Sequence, residues 1–443
     1  MLFIWKYPKG EAVAFQNVNQ LLARFKALGA NRIFCKRLSE NDNSKQQIYL
    51  GSKFEVLSFF PHGDITAYPA LRSPNFKAPI DFFWISDTTI EQAPGTQLIL
   101  YPQYPEVRLS GFLAGCATAP SQNLQQRPKN QRRGADGRVL IFGTTANNRT
   151  LACLAPESSS LSEELLVAFL ATPRDGIFLE LTLPIDSAQN RALVLEALRN
   201  IYLQNPHLSC RRDKHGTVIP YNAPNGGGYT LEALLGITPN GNAEPDYLGW
   251  EIKAFSKNRV TLMTPEPTGG WYRENGVKAF VEKYGRLRDG GVKYFTGLHK
   301  VGVPCTSSGM TMQLSGFDAN SCKVTDVNGT IYLSDANGAN AASWGFAELL
   351  THWNRKHAFA AYVPYTTLRD PISYKYRSPI LMGEHTDFPK YLQALNSGSV
   401  VFDPGSKVTN AGTAASTVKA RSQFRVNING LCNLYDTLTT EPL

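Results

Sequence analysis

Hydrophobic positions along this chain fall into two rhythms. Over residues 31–155 they come in short runs, Ile48-Tyr-Leu50, Phe82-Phe-Trp-Ile85, Gln97-Leu-Ile-Leu-Tyr101, Val139-Leu-Ile-Phe142 and Thr150-Leu-Ala-Cys-Leu154, separated by Gly, Pro and Asn. Runs of this length between turn residues predict strands, and several in succession predict a small barrel. Ahead of them, residues 18–28 have the apolar spacing of a helix that plugs or flanks that barrel. The later chain changes period. Residues 188–203 predict a helix, Thr230-Leu-Glu-Ala-Leu-Leu-Gly236 a short helix stopped by its glycine, and residues 250–263 strands. Ser158-Ser-Ser160, after Cys153-Leu-Ala-Pro156, marks the change. The expected fold is α/β and multi-domain, with a β domain over 1–156, a linker over 157–175 and an α/β domain over 176–443. Residues 121–138 are almost devoid of apolar side chains and predict a mobile loop.

Length agrees with this division, because 443 residues exceed one ordinary core. Lys and Arg total 45 against 36 acids, a formal charge of +9 that attracts polyanions without specifying a sequence. Seven cysteines (Cys35, Cys116, Cys153, Cys210, Cys305, Cys322, Cys432) show no paired spacing, which argues against a disulfide framework and for a reducing, cytoplasmic setting. Met1-Leu-Phe-Ile-Trp-Lys6 is too short for a secretion signal, and no apolar run approaches the ~18 residues of a membrane span. The histidines lack zinc spacing, and no Gly-x-Ser-x-Gly elbow is present. Gly226-Gly-Gly228 is not followed by Lys-Ser/Thr and reads as a turn or linker.

The chemistry concentrates in Pro245-Asp-Tyr-Leu-Gly-Trp-Glu-Ile-Lys253. In a strand, Glu251 and Lys253 project from one face while Trp250, Ile252 and Ala254 pack on the other. A turn through Gly249 brings Asp246 beside Glu251. Two hard oxygen ligands at one point suit Mg(II), and a lysine beside them can orient water and offset charge on a phosphate. The plainer reading is an edge strand with a solvated Glu/Lys pair, and for Glu232 a solvated helix face.

A helix acid, then Asp, then Glu-x-Lys resembles the PD-(D/E)XK nucleases, and more narrowly the MvaI/BcnI restriction endonucleases and the mismatch-repair nickase MutH. The likeness to MvaI and BcnI continues in order through Val260-Thr-Leu-Met-Thr-Pro-Glu-Pro267, Glu282-Lys-Tyr-Gly285, Trp344-Gly-Phe-Ala-Glu-Leu-Leu350 and Phe424-Arg-Val-Asn427. It implies a restriction-endonuclease-like α/β domain with catalytic residues Glu232, Asp246, Glu251 and Lys253, and Mg(II) held by Asp246 and Glu251. It also implies DNA contacts through Lys407, Lys419, Arg421 and Arg425, the arginines serving a GG step and the lysines phosphates. The His-Asp-His triplet that precedes Phe-Arg in MvaI is missing.

A second resemblance lies in Phe34-Cys-Lys-Arg-Leu-Ser-Glu-Asn-Asp42 and Ile48-Tyr-Leu-Gly-Ser52, which are similar to the effector domain of the EcoRII restriction enzymes, a β pseudobarrel that grips DNA with two arms. It implies a first arm with Lys36, Arg37, Asn41, Asn43, Lys45, Gln46 and Gln47, and a second with Tyr104, Glu106 and Arg108. Together the resemblances imply a monomeric type II restriction endonuclease that cuts double-stranded DNA at 5′-CCWGG while its first domain binds a second copy of the site. The alternatives are a MutH-like repair nickase and a DNA-binding regulator with an inert nuclease half.

Overall fold

The computed structural model describes residues 15–40, 42, 46–126, 137–171, 177–181, 187–238, 246–288, 290–413 and 415–443. The chain folds as two units, Met1–Asp64 with Phe76–Asp186, and Ile65–Asn75 with Ser187–Leu443.

In the first unit, one sheet runs in the order Phe178–Leu181, Ala30–Arg37, Val139–Thr145, Arg149–Ala155, Asp81–Ile85, Ile90–Gln92. Its pairs are antiparallel except Arg149–Ala155 with Asp81–Ile85, which is parallel. Every residue of Val139–Thr145 is buried, because both faces of this sheet are covered. On one face lie helix Val18–Ala27, through Leu21 and Phe25, and helix Ser160–Ala171, through Leu161, Leu165 and Phe169. On the other, Phe34, Phe142 and Phe178 meet Phe59 and Phe60 with ring centroids 4.7 to 6.4 Å apart. Gly143 is required here, since a Cβ would come within 2.2 Å of the Phe25 ring. A second sheet includes Gln47–Gly51, Glu106–Ser110, Gln97–Tyr101 and Asn75–Pro79 in that order.

Each expected strand run forms a strand, but the expected barrel does not close: the strands form two open sheets among the described residues. The expected linker also differs. Ser160–Ala171 buries three apolar side chains in the first unit's core, and Phe178–Leu181 then forms an edge strand on Ala30–Arg37. The apolar content of 161–169 outweighs the break suggested by its serines. Of the expected mobile loop, 127–136 lies outside the described residues. The flanking part is fixed, with Leu124 buried and Arg138 donating from Nη1 to the carbonyls of Asn123 (2.6 Å) and Gln125 (3.1 Å).

The second unit is built on a mixed sheet, in which Phe359–Leu368 pairs parallel with Glu251–Phe255 and antiparallel with Ile380–Glu384 and Ser373–Tyr376. Thr437–Glu441 extends the Ile380–Glu384 side. Helix Ser187–Leu203 supplies Val194, Leu198 and Ile201, and helix Gly226–Leu234 supplies Leu231, to a core shared with Trp250, Ile252, Ala361, Val363, Tyr374, Tyr376, Ile380 and Met382. This apolar core lies on the sheet face that carries Trp250 and Ile252. All seven cysteines are free.

Candidate active site and nucleic-acid interface

Glu232 is held by a helix that begins earlier than expected. Gly226-Gly-Gly228 is not a turn but its first residues, Gly226–Leu234, and their missing side chains allow close approach. A Cβ on Gly226 would meet the Tyr374 hydroxyl at 2.3 Å, and one on Gly227 the Tyr365 ring at 2.3 Å. The Tyr376 hydroxyl donates to the Gly227 carbonyl at 2.8 Å. At the other end, Gly236 takes φ +81°, its N–H donates to the Ala233 carbonyl (3.1 Å) and that of Ile237 to the Glu232 carbonyl (2.9 Å). This pair of bonds is a Schellman stop, which fixes the backbone of the half-buried Glu232.

Asp246 is folded back by a two-residue turn. Leu248 and Gly249 both have positive φ, 50° and 82°, and Tyr247 and Trp250 exchange backbone hydrogen bonds of 3.0 and 2.9 Å. The Asp246 Oδ2 then accepts from the Ile252 N–H at 3.0 Å. Glu251, in strand Glu251–Phe255, is 1% exposed. Its Oε1 accepts from the Lys253 Nζ, while its Oε2 is buried with no hydrogen-bond partner. Burial pulls the Lys253 ammonium down, but the charges of Glu251, Asp246 and Glu232 outweigh it and raise its pKa. Three carboxylates, one from a helix and two from around a strand, thus act on one ammonium. Among the described residues, no three Asp, Glu, His or Cys side chains form an ion-binding group by themselves. Tyr362 sits opposite Lys253 in the neighbouring strand, and its hydroxyl meets that of Tyr435 at 2.8 Å. Burial pushes both phenols up, and the Glu251 charge adds to the shift. The sequence hides this pair, because Tyr362 lies in an apolar run that reads as core.

Chain continuity ties this strand to the candidate base-reading residues. Beyond Phe255 the chain turns into Arg259–Met263, which pairs with Phe424–Asn427, itself paired with Val400–Phe402. Val400–Phe402 leads into Gly405–Thr409, the strand of Lys407. Arg425 is engaged: Nη1 donates to the Asp403 carboxylate at 2.7 Å and Nη2 to the Arg259 carbonyl at 3.1 Å. Its Nε is buried without a partner. Asp403 was not among the expected site residues, since Asp-Pro-Gly between strands reads as an ordinary turn. Arg421 and Lys419 are exposed, and Lys407 is half-buried opposite Lys419 in the adjoining strand.

In the first unit, the two expected arms meet, because Gln47–Gly51 pairs with Glu106–Ser110. Arg108 donates to Glu106 (2.8 Å) and to the Gln47 side chain (3.3 Å), and Gln47 donates to the Tyr101 hydroxyl (3.3 Å). Tyr104 is 75% exposed, Gln46 is exposed and Arg37 half-buried. Lys36 departs from expectation. It is buried, with Nζ 2.5 Å from the Asp42 carboxylate, which also accepts from the Ser39 (2.8 Å) and Tyr49 (3.0 Å) N–H groups. Both faces of Ala30–Arg37 are covered, with Ile33 to Lys36 all buried, so Lys36 organises the loop rather than offering charge at the surface. Asn41, Asn43 and Lys45 lie outside the described residues.

Among solved structures, the chain is similar to the restriction endonuclease MvaI bound to cognate DNA substrate, at 17% identity and a TM-score of 0.45 over 58% of this chain and 99% of that one. It is also similar to MvaI in the absence of DNA, at 16% identity and a TM-score of 0.33 over 58% of this chain and 98% of that one. No curated protein matches it in sequence. The family described as MvaI/BcnI restriction endonuclease matches residues 195–435, a span that holds Glu232, Asp246, Glu251, Lys253 and Arg425. That span is more than half of the chain, and the chain belongs to the MvaI/BcnI restriction endonuclease family.

Proposed function

We propose that the chain is a type II restriction endonuclease that hydrolyses phosphodiester bonds of double-stranded DNA, with Glu232, Asp246, Glu251 and Lys253 as its catalytic set. The observation that carries this reading is the buried, unpartnered Glu251 Oε2 beside an Asp246 fixed by the Ile252 amide. A buried carboxylate oxygen without a donor is costly, and a cation relieves that cost. Two carboxylates suit Mg(II), which keeps several waters and needs few protein ligands. Bound there, Mg(II) would polarise the phosphate and lower the pKa of water. Lys253, kept protonated by its three acidic neighbours, holds Glu251 in place and can offer protons to a phosphate oxygen or orient the attacking water. Arg421 and Arg425 are assigned to guanine edges, for which a guanidinium fork is the commonest partner.

On the family resemblance, the target is 5′-CCWGG. The first unit is assigned as an effector domain that binds a second copy through Arg37, Gln46, Gln47, Tyr104, Glu106 and Arg108. One catalytic set per chain is consistent with a monomer that cuts strand by strand. Plasmids with one or two 5′-CCWGG sites, digested with Mg(II) or with a chelator and mapped at their ends, test this. The expected result is Mg(II)-dependent ends within those sites, a nicked-circle intermediate and faster cutting of two-site plasmids. Cutting undiminished by the chelator would sink the metal assignment, ends elsewhere the target, and equal rates on both plasmids the effector role.

A further inference from the structure

We infer that the sheet formed by Arg286–Arg288, Val292–Thr296, Gly405–Thr409 and Thr417–Lys419 is a platform for the phosphate backbone of a DNA duplex, with Arg286, Arg288 and Tyr294 joining Lys407 and Lys419. This rests on the proposed function and extends it to residues outside the catalytic set and the expected base readers. The register carries the argument. Arg286 lies opposite Tyr294, Tyr294 opposite Lys407 and Lys407 opposite Lys419, so the four form one row across one face. Arg288, two residues from Arg286, shares that face. The alternate residues face the other way: Lys293 donates to the Glu282 carbonyl of helix Gly270–Tyr284, and Phe295 and Val408 are buried.

Charge on the cationic face is one-sided. The four strands contain no acid. Arg286, Arg288 and Lys419 are exposed, and no described carboxylate pairs with any cation of the row. Lys407 directly opposite Lys419 is a like-charge pair, a destabilising arrangement in a sheet that a bound anion would relieve. Tyr294 holds the cations over its ring, with the Arg288 guanidinium 5.4 Å and the Lys407 ammonium 5.9 Å from its centroid. Row spacing across four strands, about 4.8 Å per strand, is an extended array rather than a pocket, which suits a polyanionic strand better than a single small anion.

The test is anisotropy of a fluorescent duplex containing 5′-CCAGG, and of a scrambled duplex of equal length, measured in chelator over a salt series. Arg286→Ala/Arg288→Ala should weaken binding to both duplexes alike by ~10-fold or more at moderate salt, and reduce the salt slope by about two, at ~0.9 per phosphate contact. The preference for target should stay unchanged. The matching double lysine variant should recover most of the affinity, because phosphate contact needs charge more than a fork. Wild-type affinity and slope in the alanine variant would overturn the inference. So would a changed target preference that lysine does not restore, since that would mean base reading. A wild-type protein with no preference for target would count against the proposed function instead, while the slope comparison still decides the platform.

Discussion

The polar clusters of the two units follow opposite plans. In the second unit, Glu251 is buried with one oxygen on Lys253 and the other unmatched, and Asp246 and Glu232 add their charge to the same ammonium. In the first unit, two of the cations expected to meet DNA are matched to neighbours, Lys36 to Asp42, and Arg108 to Glu106 and Gln47. An unmatched buried oxygen costs about 1–3 kcal/mol or more until something satisfies it. A partly exposed matched pair such as Arg108–Glu106 costs little to keep and must exchange partners in order to bind. On the proposed function, the first plan is shaped to receive a cation, and the second is complete in itself and opens to DNA.

The sharpest way to break this contrast is Glu251→Gln, which keeps the shape and removes the charge. Cleavage should fall by roughly three orders of magnitude or more, the equivalent of several kcal/mol of transition-state stabilisation. Binding of a target duplex in a gel shift should survive. Wild-type cutting by this variant would mean that the unmatched oxygen is incidental to the chemistry.

Lys36→Met probes the matched side. Removing one partner of a buried ion pair leaves Asp42 uncompensated and should cost about 3–5 kcal/mol of the first unit's stability. It would be read as an earlier denaturant transition. Arg37→Ala, one residue along and half-buried, should weaken DNA binding without that cost. If the two substitutions behaved alike, Lys36 would not be the organiser of its loop.

These two residues also show what could be read in the sequence. Strand runs such as Val139-Leu-Ile-Phe142 and the helix ending at Gly236 were legible because periodicity and a stop residue act locally. The turn that returns Asp246 to the Ile252 amide was legible from Gly249 alone. What escaped depends on pairing between distant segments. Phe178–Leu181 joins the first sheet through Ala30–Arg37, so no local signal announced where the first unit ends. Lys36, an arm residue by resemblance, is buried because distant segments cover both faces of its strand. Asp403 stayed invisible because its importance lies in Arg425, which is distant in sequence.

Arg425 combines both plans, since it has a matched Nη1 and an unpartnered buried Nε. Arg425→Lys keeps the charge and loses the fork. Discrimination against substitutions in the GG step should drop by about 1–3 kcal/mol, or ~5- to 150-fold, as read by relative cleavage of single-substitution duplexes. Asp403→Asn should give a smaller loss in the same direction, because it loosens the guanidinium without removing it. Unchanged selectivity in both variants would reduce Arg425 to a structural link between strands.

The smallest expected effect tests whether pairing itself, and not the unit in which it occurs, sets the energetic scale. Arg191 joins Glu441 (2.6 Å) and Glu384 (2.9 Å) in the second unit, with all three side chains about a quarter exposed. The Thr439 hydroxyl, and then the Arg191 guanidinium, hold the Glu441 carboxyl below its ordinary range. A carboxyl lowered in the folded state contributes stability above its unfolded value, near ~4.3, and loses it as the pH falls through the folded one. Glu441→Gln should therefore cost less than about 1 kcal/mol at neutral pH, since exposed pairs are screened. Its gap in melting temperature from the wild type should close as the pH falls below ~4. A gap that persisted in acid would mean that the glutamine disturbs packing at the sheet edge and that the ion pair is not what stabilises it.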